Sequence, residues 1–155
     1  MEFTGDLRGR DFTGQDLFGA VFRDADLYQA RFTGARLERA TFHNCFIAEA
    51  AFDEIRGANL QAIGCSFYRA SFRAADLTGA LLWKCVLAGA DFSGARLKGL
   101  TVTLDCNSFE GVTLDRIASA ELAYLFSHAL TPHRRQWLAL VGQRYAARLD
   151  HALQQ

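Results

Sequence analysis

Between Leu7 and Val102 the chain repeats every five residues, and few folds accept that period. One column is large and apolar: Leu7, Phe12, Leu17, Phe22, Leu27, Phe32, Leu37, Phe42, Ile47 and Phe52, then Phe67, Phe72, Leu77, Leu82, Leu87, Phe92, Leu97 and Val102. Two residues before each stands a small one, from Ala20 through Cys45 and Cys85 to Ala95, and two residues after it glycine recurs. A helix returns to one face after about 3.6 residues and a strand after two. Five fits neither. The segment is an internal repeat, whose units must bury their apolar side chains against one another.

A longer period lies inside the short one. Phe12, Phe32, Phe52, Phe72 and Phe92 are twenty apart, and so are Cys45, Cys65 and Cys85. Four fives per twenty describe a coil with four sides, each coil lying on the one before. With backbone hydrogen bonds between coils the rise is about 4.8 Å, so five coils make a rod roughly 24 Å long. The first coil departs from the pattern: Gly5, Arg10 and Gln15 stand where alanine stands later. Polar residues there suit a terminal coil that meets solvent, and Phe3, one residue out of phase, is placed to fold over that open end.

Residues 53–66 break the columns without breaking the twenty. Gly57 and Ala62 occupy large positions, while Ile55 and Leu60 occupy small ones. Two readings are open. Large and small have exchanged places, which keeps core volume nearly constant, or the phase slips at Ala58-Asn59-Leu60 and a loop bulges outward.

These residues resemble the pentapeptide-repeat family. Its motif is quoted by Ala25-Asp26-Leu27, Ala58-Asn59-Leu60, Ala75-Asp76-Leu77 and Ala90-Asp91-Phe92, and the likeness covers roughly two thirds of the chain. It implies a mainly β fold, a right-handed quadrilateral parallel β-helix, with the large and small columns both pointing inward. The handedness comes from the family alone.

Past Val102 the period is lost, although Leu104, Phe109, Val112 and Leu114 stay apolar. Residues 116–130 carry Ile117, Leu122, Leu125, Phe126 and Leu130 at helical spacing. Thr131-Pro132 then reads as the N-cap and first residue of a second helix. That helix sets Trp137, Leu138, Val141, Tyr145, Leu149 and Leu153 along one side. The chain therefore divides into a β-helix over 1–106 and a C-terminal α-helical hairpin over 107–155. The hairpin is expected to cap the last coil, whose edges would otherwise be open. In several family members C-terminal helices also pair two copies, which makes Trp137, Leu138, Val141, Tyr145 and Leu149 a candidate dimer helix.

Little in the sequence points to catalysis. Cys45, Cys65 and Cys85 share one inward column, with sulfurs about a coil apart, which suits neither a disulfide nor tetrahedral zinc. His43 and Cys45 point to opposite faces, and no nucleophile–base pair or paired carboxylates emerge at a defensible spacing. No enzyme activity, metal or cofactor is expected. The 17 basic and 17 acidic residues cancel, so net charge draws the chain to neither nucleic acid nor membrane. A polar start and reduced thiols suggest a cytoplasmic protein without a signal peptide.

What remains is surface. Two sides are charge mosaics: Asp11, Arg31, Asp53, Arg73 and Asp91 on one, Asp16, Arg36, Arg56, Asp76 and Arg96 on the next. The other two carry Val21, Ile63, Leu81 and Trp83, and Tyr28, Phe46, Tyr68 and Val86. These eight residues form a candidate interaction edge, unless the hairpin folds back over it. The expected function is a rigid protein–protein interaction module. The family resemblance implies an alternative, a DNA mimic that binds DNA gyrase and protects it from quinolones or other topoisomerase poisons. That alternative meets a difficulty in residues 1–104, where acidic and basic residues balance again, because a duplex carries one negative charge per about 1.7 Å.

Overall fold

The computed structural model of the protein describes residues 1–102 and 111–114. Six parallel strands form one sheet in chain order: β1 (Glu2–Asp6), β2 (Val21–Asp26), β3 (Thr41–His43), β4 (Gln61–Ile63), β5 (Leu81–Trp83) and β6 (Thr101–Val102). Single bridges build three further ladders, through Asp11, Arg31 and Ala51, through Asp16, Arg36 and Arg56, and through Asp26, Phe46 and Ser66. Four ladders with partners twenty residues apart make the four-sided solenoid of about five turns that the period demands. The helical hairpin assigned to 107–155, including Trp137, Leu138, Val141, Tyr145 and Leu149, lies almost wholly outside the described residues.

Three of the four corners follow from one backbone choice. Ala20 N–H returns to the Leu17 carbonyl at 3.0 Å, and Ala75 N–H to that of Phe72 at 3.1 Å. The residue before each, Gly19 at φ 66° and Ala74 at φ 55°, is left-handed. A tight turn with positive φ at its third residue is a type II turn, and glycine serves there without steric cost. This accounts for the glycine column two residues after the large one.

The triplet Ala-Asp-Leu has its own reason. Asp26 Oδ1 accepts the N–H of Tyr28 at 3.0 Å, and Asp76 and Asp91 accept those of Thr78 and Ser93 at 3.0 and 2.9 Å. The Thr78 and Ser93 hydroxyls add bonds of 2.6 Å to the same oxygens. Aspartate before the large residue thus satisfies an amide that the inter-coil ladder does not use.

Inside, aromatic rings form two stacks. Phe12, Phe32, Phe52, Phe72 and Phe92 lie nearly parallel with centroids 4.7–5.0 Å apart. Phe3, Phe22 and Phe42 make a second stack at 4.6–4.7 Å. The two stacks meet edge to face at 5.6–6.0 Å. Both arrangements suit the ring quadrupole and add about 0.5–1.5 kcal/mol per pair to the gain from burial. Phe3 does cover the open end, stacked on Phe22, and Arg10 lays its guanidinium over Phe12 at 5.1 Å and Phe3 at 5.7 Å. Because Phe3 pairs with Phe22 but Gly5 with Ala25, a bulge in β2 absorbs its one-residue offset.

The irregular coil is an exchange and not a loop. Ile55, Leu60 and Ala62 are all buried, Gly57 is buried with them, and Phe42, Ala62 and Leu82 stay in register. Where Ala62 ends the second ring stack, Phe67 turns edge-on to Phe52 and Phe72 at 5.8 and 5.4 Å. Past Val102 the fixed period is lost, as the sequence indicates, but the solenoid continues. Thr113 bridges Asp91, and Val112 and Leu114 are buried. The spacing there is twenty-two, so Val112-Thr113-Leu114 sets two apolar side chains inward around a polar residue two places late, on the solenoid and not in the hairpin.

Candidate interaction edge

The eight edge residues sit on two adjacent sides, around the corner that runs through Asp24, Asn44, Gly64 and Lys84. Val21 and Leu81 are outward on the strand side, and His43, Ile63 and Trp83 stand in register across β3, β4 and β5. Asp26, Phe46, Ser66 and Val86 form the first outward ladder of the neighbouring side. Tyr28, Ala48, Tyr68 and Ala88 are its second, since the next residue in each coil donates to the carbonyl of the one above. Phe46 is 48% exposed, Trp83 44%, Tyr68 42% and Val86 42%, while Val21, Tyr28, Ile63 and Leu81 are half-buried. The sequence therefore placed all eight outward, and four of them are open to solvent.

The rings on this side are ordered. Tyr28 and Phe46 lie 6.1 Å apart and 20° from parallel. The Arg69 guanidinium rests over Tyr68 at 5.2 Å. A hydrogen bond to the Glu49 carboxylate, then burial, raises the Tyr28 hydroxyl above its ordinary value, so that group stays protonated as a donor.

The two charged sides carry ion pairs along the rod axis. Arg31 reaches Asp11 at 2.7 Å, Arg36 reaches Asp16 at 3.1 Å, and Arg73 reaches Asp53 at 3.5 Å. Glu38 lies between Arg36 and Arg56, at 3.5 and 3.2 Å. Its Oε2 and Arg36 Nε are buried and face one another, at a distance long for a hydrogen bond. Hydrogen bonds from Arg8 hold Asp6 at about 2, and those of Thr13 and Phe18 lower Asp11 and Asp16. One exposed ring escaped the sequence reading. Phe18, 46% exposed, lies on a charged side beneath Arg36 at 4.6 Å, and its signal was an aromatic one residue past Leu17 where polar residues usually stand.

The cysteine column is packing. Cys45, Cys65 and Cys85 are reduced and buried, and their thiols donate to carbonyls of His43 at 3.3 Å, Phe42 at 3.4 Å and Ala62 at 3.4 Å. The Cys65 sulfur, then burial, pushes the Cys45 thiol well above its ordinary value. Contact with Cys45 lowers the Cys65 thiol, but Cys85 and burial outweigh it and drive it up to about 12. Neutral buried thiols are poor nucleophiles. Among the described residues no three His, Cys, Asp or Glu side chains converge on a metal position. Cys106, His128, His133 and His151 lie outside the described residues.

Comparison with known proteins bears on the repeat. The family model described as pentapeptide repeats matches residues 6–53 and 65–99 in eight copies. The pentapeptide-repeat protein Rfr23 of the cyanobacterium Cyanothece 51142 is 27% identical, over 66% of this chain and 61% of that one, with a TM-score of 0.36. A pentapeptide-repeat protein of the Arabidopsis thaliana thylakoid lumen is 28% identical over 61% and 69%, with a TM-score of 0.37. Trypsin-treated QnrB1, a plasmid-mediated fluoroquinolone resistance protein, is 27% identical over 70% and 63%, with a TM-score of 0.42. The chain thus spans about three fifths of Rfr23 and of QnrB1. No curated protein matches it.

Proposed function

The chain belongs to the pentapeptide-repeat family, and on that premise we propose that it is a non-enzymatic interaction module, a rigid rod that holds a protein partner along its aromatic edge. The observation that carries this reading is the exposure of Phe46, Tyr68, Trp83 and Val86 on adjoining sides of a molecule whose other two sides carry charged residues and ion pairs. Exposed aromatic anchors on a rigid frame provide contact area with little ordering cost. Replacing Phe46 and Trp83 by Asp leaves the core untouched, so the double variant should fold and lose its partner. An unchanged set of proteins retained by wild type and variant sinks the edge.

Two further parts of the reading concern assembly and partner. The stripe Trp137, Leu138, Val141, Tyr145 and Leu149 is proposed to join two copies. Gyrase is the partner that the family suggests, and the rod form and the aspartates Asp6, Asp11 and Asp16 of the first coil favour it. Pairing of those carboxylates with Arg8, Arg31 and Arg36 opposes it, since a mimic of a duplex needs an uncompensated row of charge. A supercoiling assay decides between them. Absence of both inhibition and protection at micromolar protein removes gyrase and leaves the module.

A further inference from the structure

The side that carries Tyr28, Phe46, Tyr68 and Val86 has a rhythm of its own. From the second coil to the fifth one outward position is large and the other smaller, and the large one changes column from coil to coil. Tyr28 faces Asp26, Phe46 faces Ala48, Tyr68 faces Ser66, and Val86 faces Ala88. Ridges in the same column therefore return every second coil, about 9.6 Å apart at the inter-coil spacing of a sheet.

That distance selects among backbones laid along the rod. A polyproline II helix returns to the same face every three residues, about 9.3 Å at its 3.1 Å rise. A strand repeats a face every two residues, about 6.8 Å, and falls out of step within one ridge. An α-helix needs seven residues, about 10.5 Å, and drifts by roughly 0.9 Å at each ridge. Ring orientation agrees. Tyr28 and Phe46 are near parallel and 6.1 Å apart, and aromatic side chains line the grooves in which proline-rich segments dock.

Charge adds a direction. Arg69 lies on Tyr68, and among the described residues it has no carboxylate within ion-pairing distance. An arginine held flat on an aromatic ring keeps its fork of donors for an incoming carboxylate.

We propose that this side is a docking track for a proline-rich segment in the polyproline II conformation, laid along the rod axis with a carboxylate opposite Arg69. The inference rests on the interaction-module reading and names the chemistry of its partner. The probe is a labelled synthetic peptide of nine prolines closed by two glutamates, titrated into the full chain and followed by fluorescence anisotropy. Binding is expected on the order of 10–100 μM, with a loss of about fivefold or more in Tyr68→Ala and in Phe46→Ala. Replacing the two glutamates by lysines should weaken binding as much, and Arg69→Gln should abolish that preference. Thermal melts of the variants establish that these exposed substitutions leave the fold intact. No binding at millimolar peptide overturns the proposal, as does binding indifferent to Tyr68 and Phe46. If an amphipathic helical peptide binds in a Tyr68-dependent way and the proline peptide does not, the track is overturned and the interaction module stands. If neither binds, the track is overturned and the edge is decided by the Phe46 and Trp83 double variant.

Discussion

Ile55 and Gly57 show how far single residues read correctly. The columns declared both misplaced, and two outcomes remained until side-chain volume was placed in space. A Cβ added to Gly57 would lie 3.0 Å from the Asp76 carbonyl oxygen and 3.0 Å from Ile55 Cδ1, so the isoleucine occupies the volume that a large residue at 57 would take. Gly57→Leu alone should overpack the coil and destabilise by about 1–3 kcal/mol, and Ile55→Ala alone should cost about 2–5 kcal/mol. Made together they restore the ordinary order, so the double variant should be more stable than the sum of the two losses predicts, with coupling of about 0.5–3 kcal/mol. Urea denaturation of the four proteins measures this, and strict additivity contradicts the exchange. Phe52 and Phe72, stacked at 5.0 Å, test the inward column more bluntly. Either one changed to Ala should lose about 3–5 kcal/mol in the same assay, and a loss under about 1 is incompatible with their burial.

At the scale of the turn, the sequence showed where corners fall but not what each residue does there. Glycine two places after the large column was visible; that Ala74 shares its left-handed conformation, φ 55°, was not, because alanine gives no local sign of it. A left-handed alanine is strained by roughly 1–2 kcal/mol, part of which the unfolded chain regains when glycine replaces it. Ala74→Gly should therefore raise stability by up to about 1 kcal/mol. Gly79→Ala should lower it, since φ is +69° and the new Cβ would meet Asn59 Oδ1 at 2.5 Å. Equal melting points for both variants and wild type would refute the turn assignment.

The aspartates before the large column carry a pH signature. Hydrogen bonds lower Asp6, Asp11 and Asp16; at Asp76 burial works the other way, and the Thr78 hydroxyl and N–H outweigh it. A depressed folded-state carboxyl stabilises above its unfolded value and loses that contribution as pH falls through the folded one. The melting temperature should thus hold steady above the ordinary carboxylate value of 3.8 and decline below it, toward the value of about 2 that Asp6 has. Asp76→Asn, which keeps the shape of the acceptor, should flatten part of that decline. A profile that falls above pH 5 instead points to groups other than these.

For the whole molecule, the period of twenty foretold four sides, the inward columns and the outward edge, because each follows from arithmetic on one coil. It could not foretell the return to the solenoid at Val112-Thr113-Leu114, since two extra residues hide that stretch from a fixed period. Nor does arithmetic reach what lies past Leu114. There the argument is one of exposed area. Trp137, Leu138, Val141, Tyr145 and Leu149 recur on one face of a helical pattern, and each large apolar side chain left in water forgoes about 1.5–3 kcal/mol. A stripe of five is too costly to leave bare. The body of the solenoid, at its last coil or along its aromatic edge, and a second copy are surfaces that could receive it, and the two kinds predict different masses. If the stripe joins two copies, light scattering gives twice the chain mass for the full protein and one chain mass once residues 131–155 are deleted, while the β signal in circular dichroism persists. If the stripe only caps the coil, mass stays at one chain in both and the deletion lowers the melting temperature alone. We expect the first result, and the second would confine the C-terminal segment to capping.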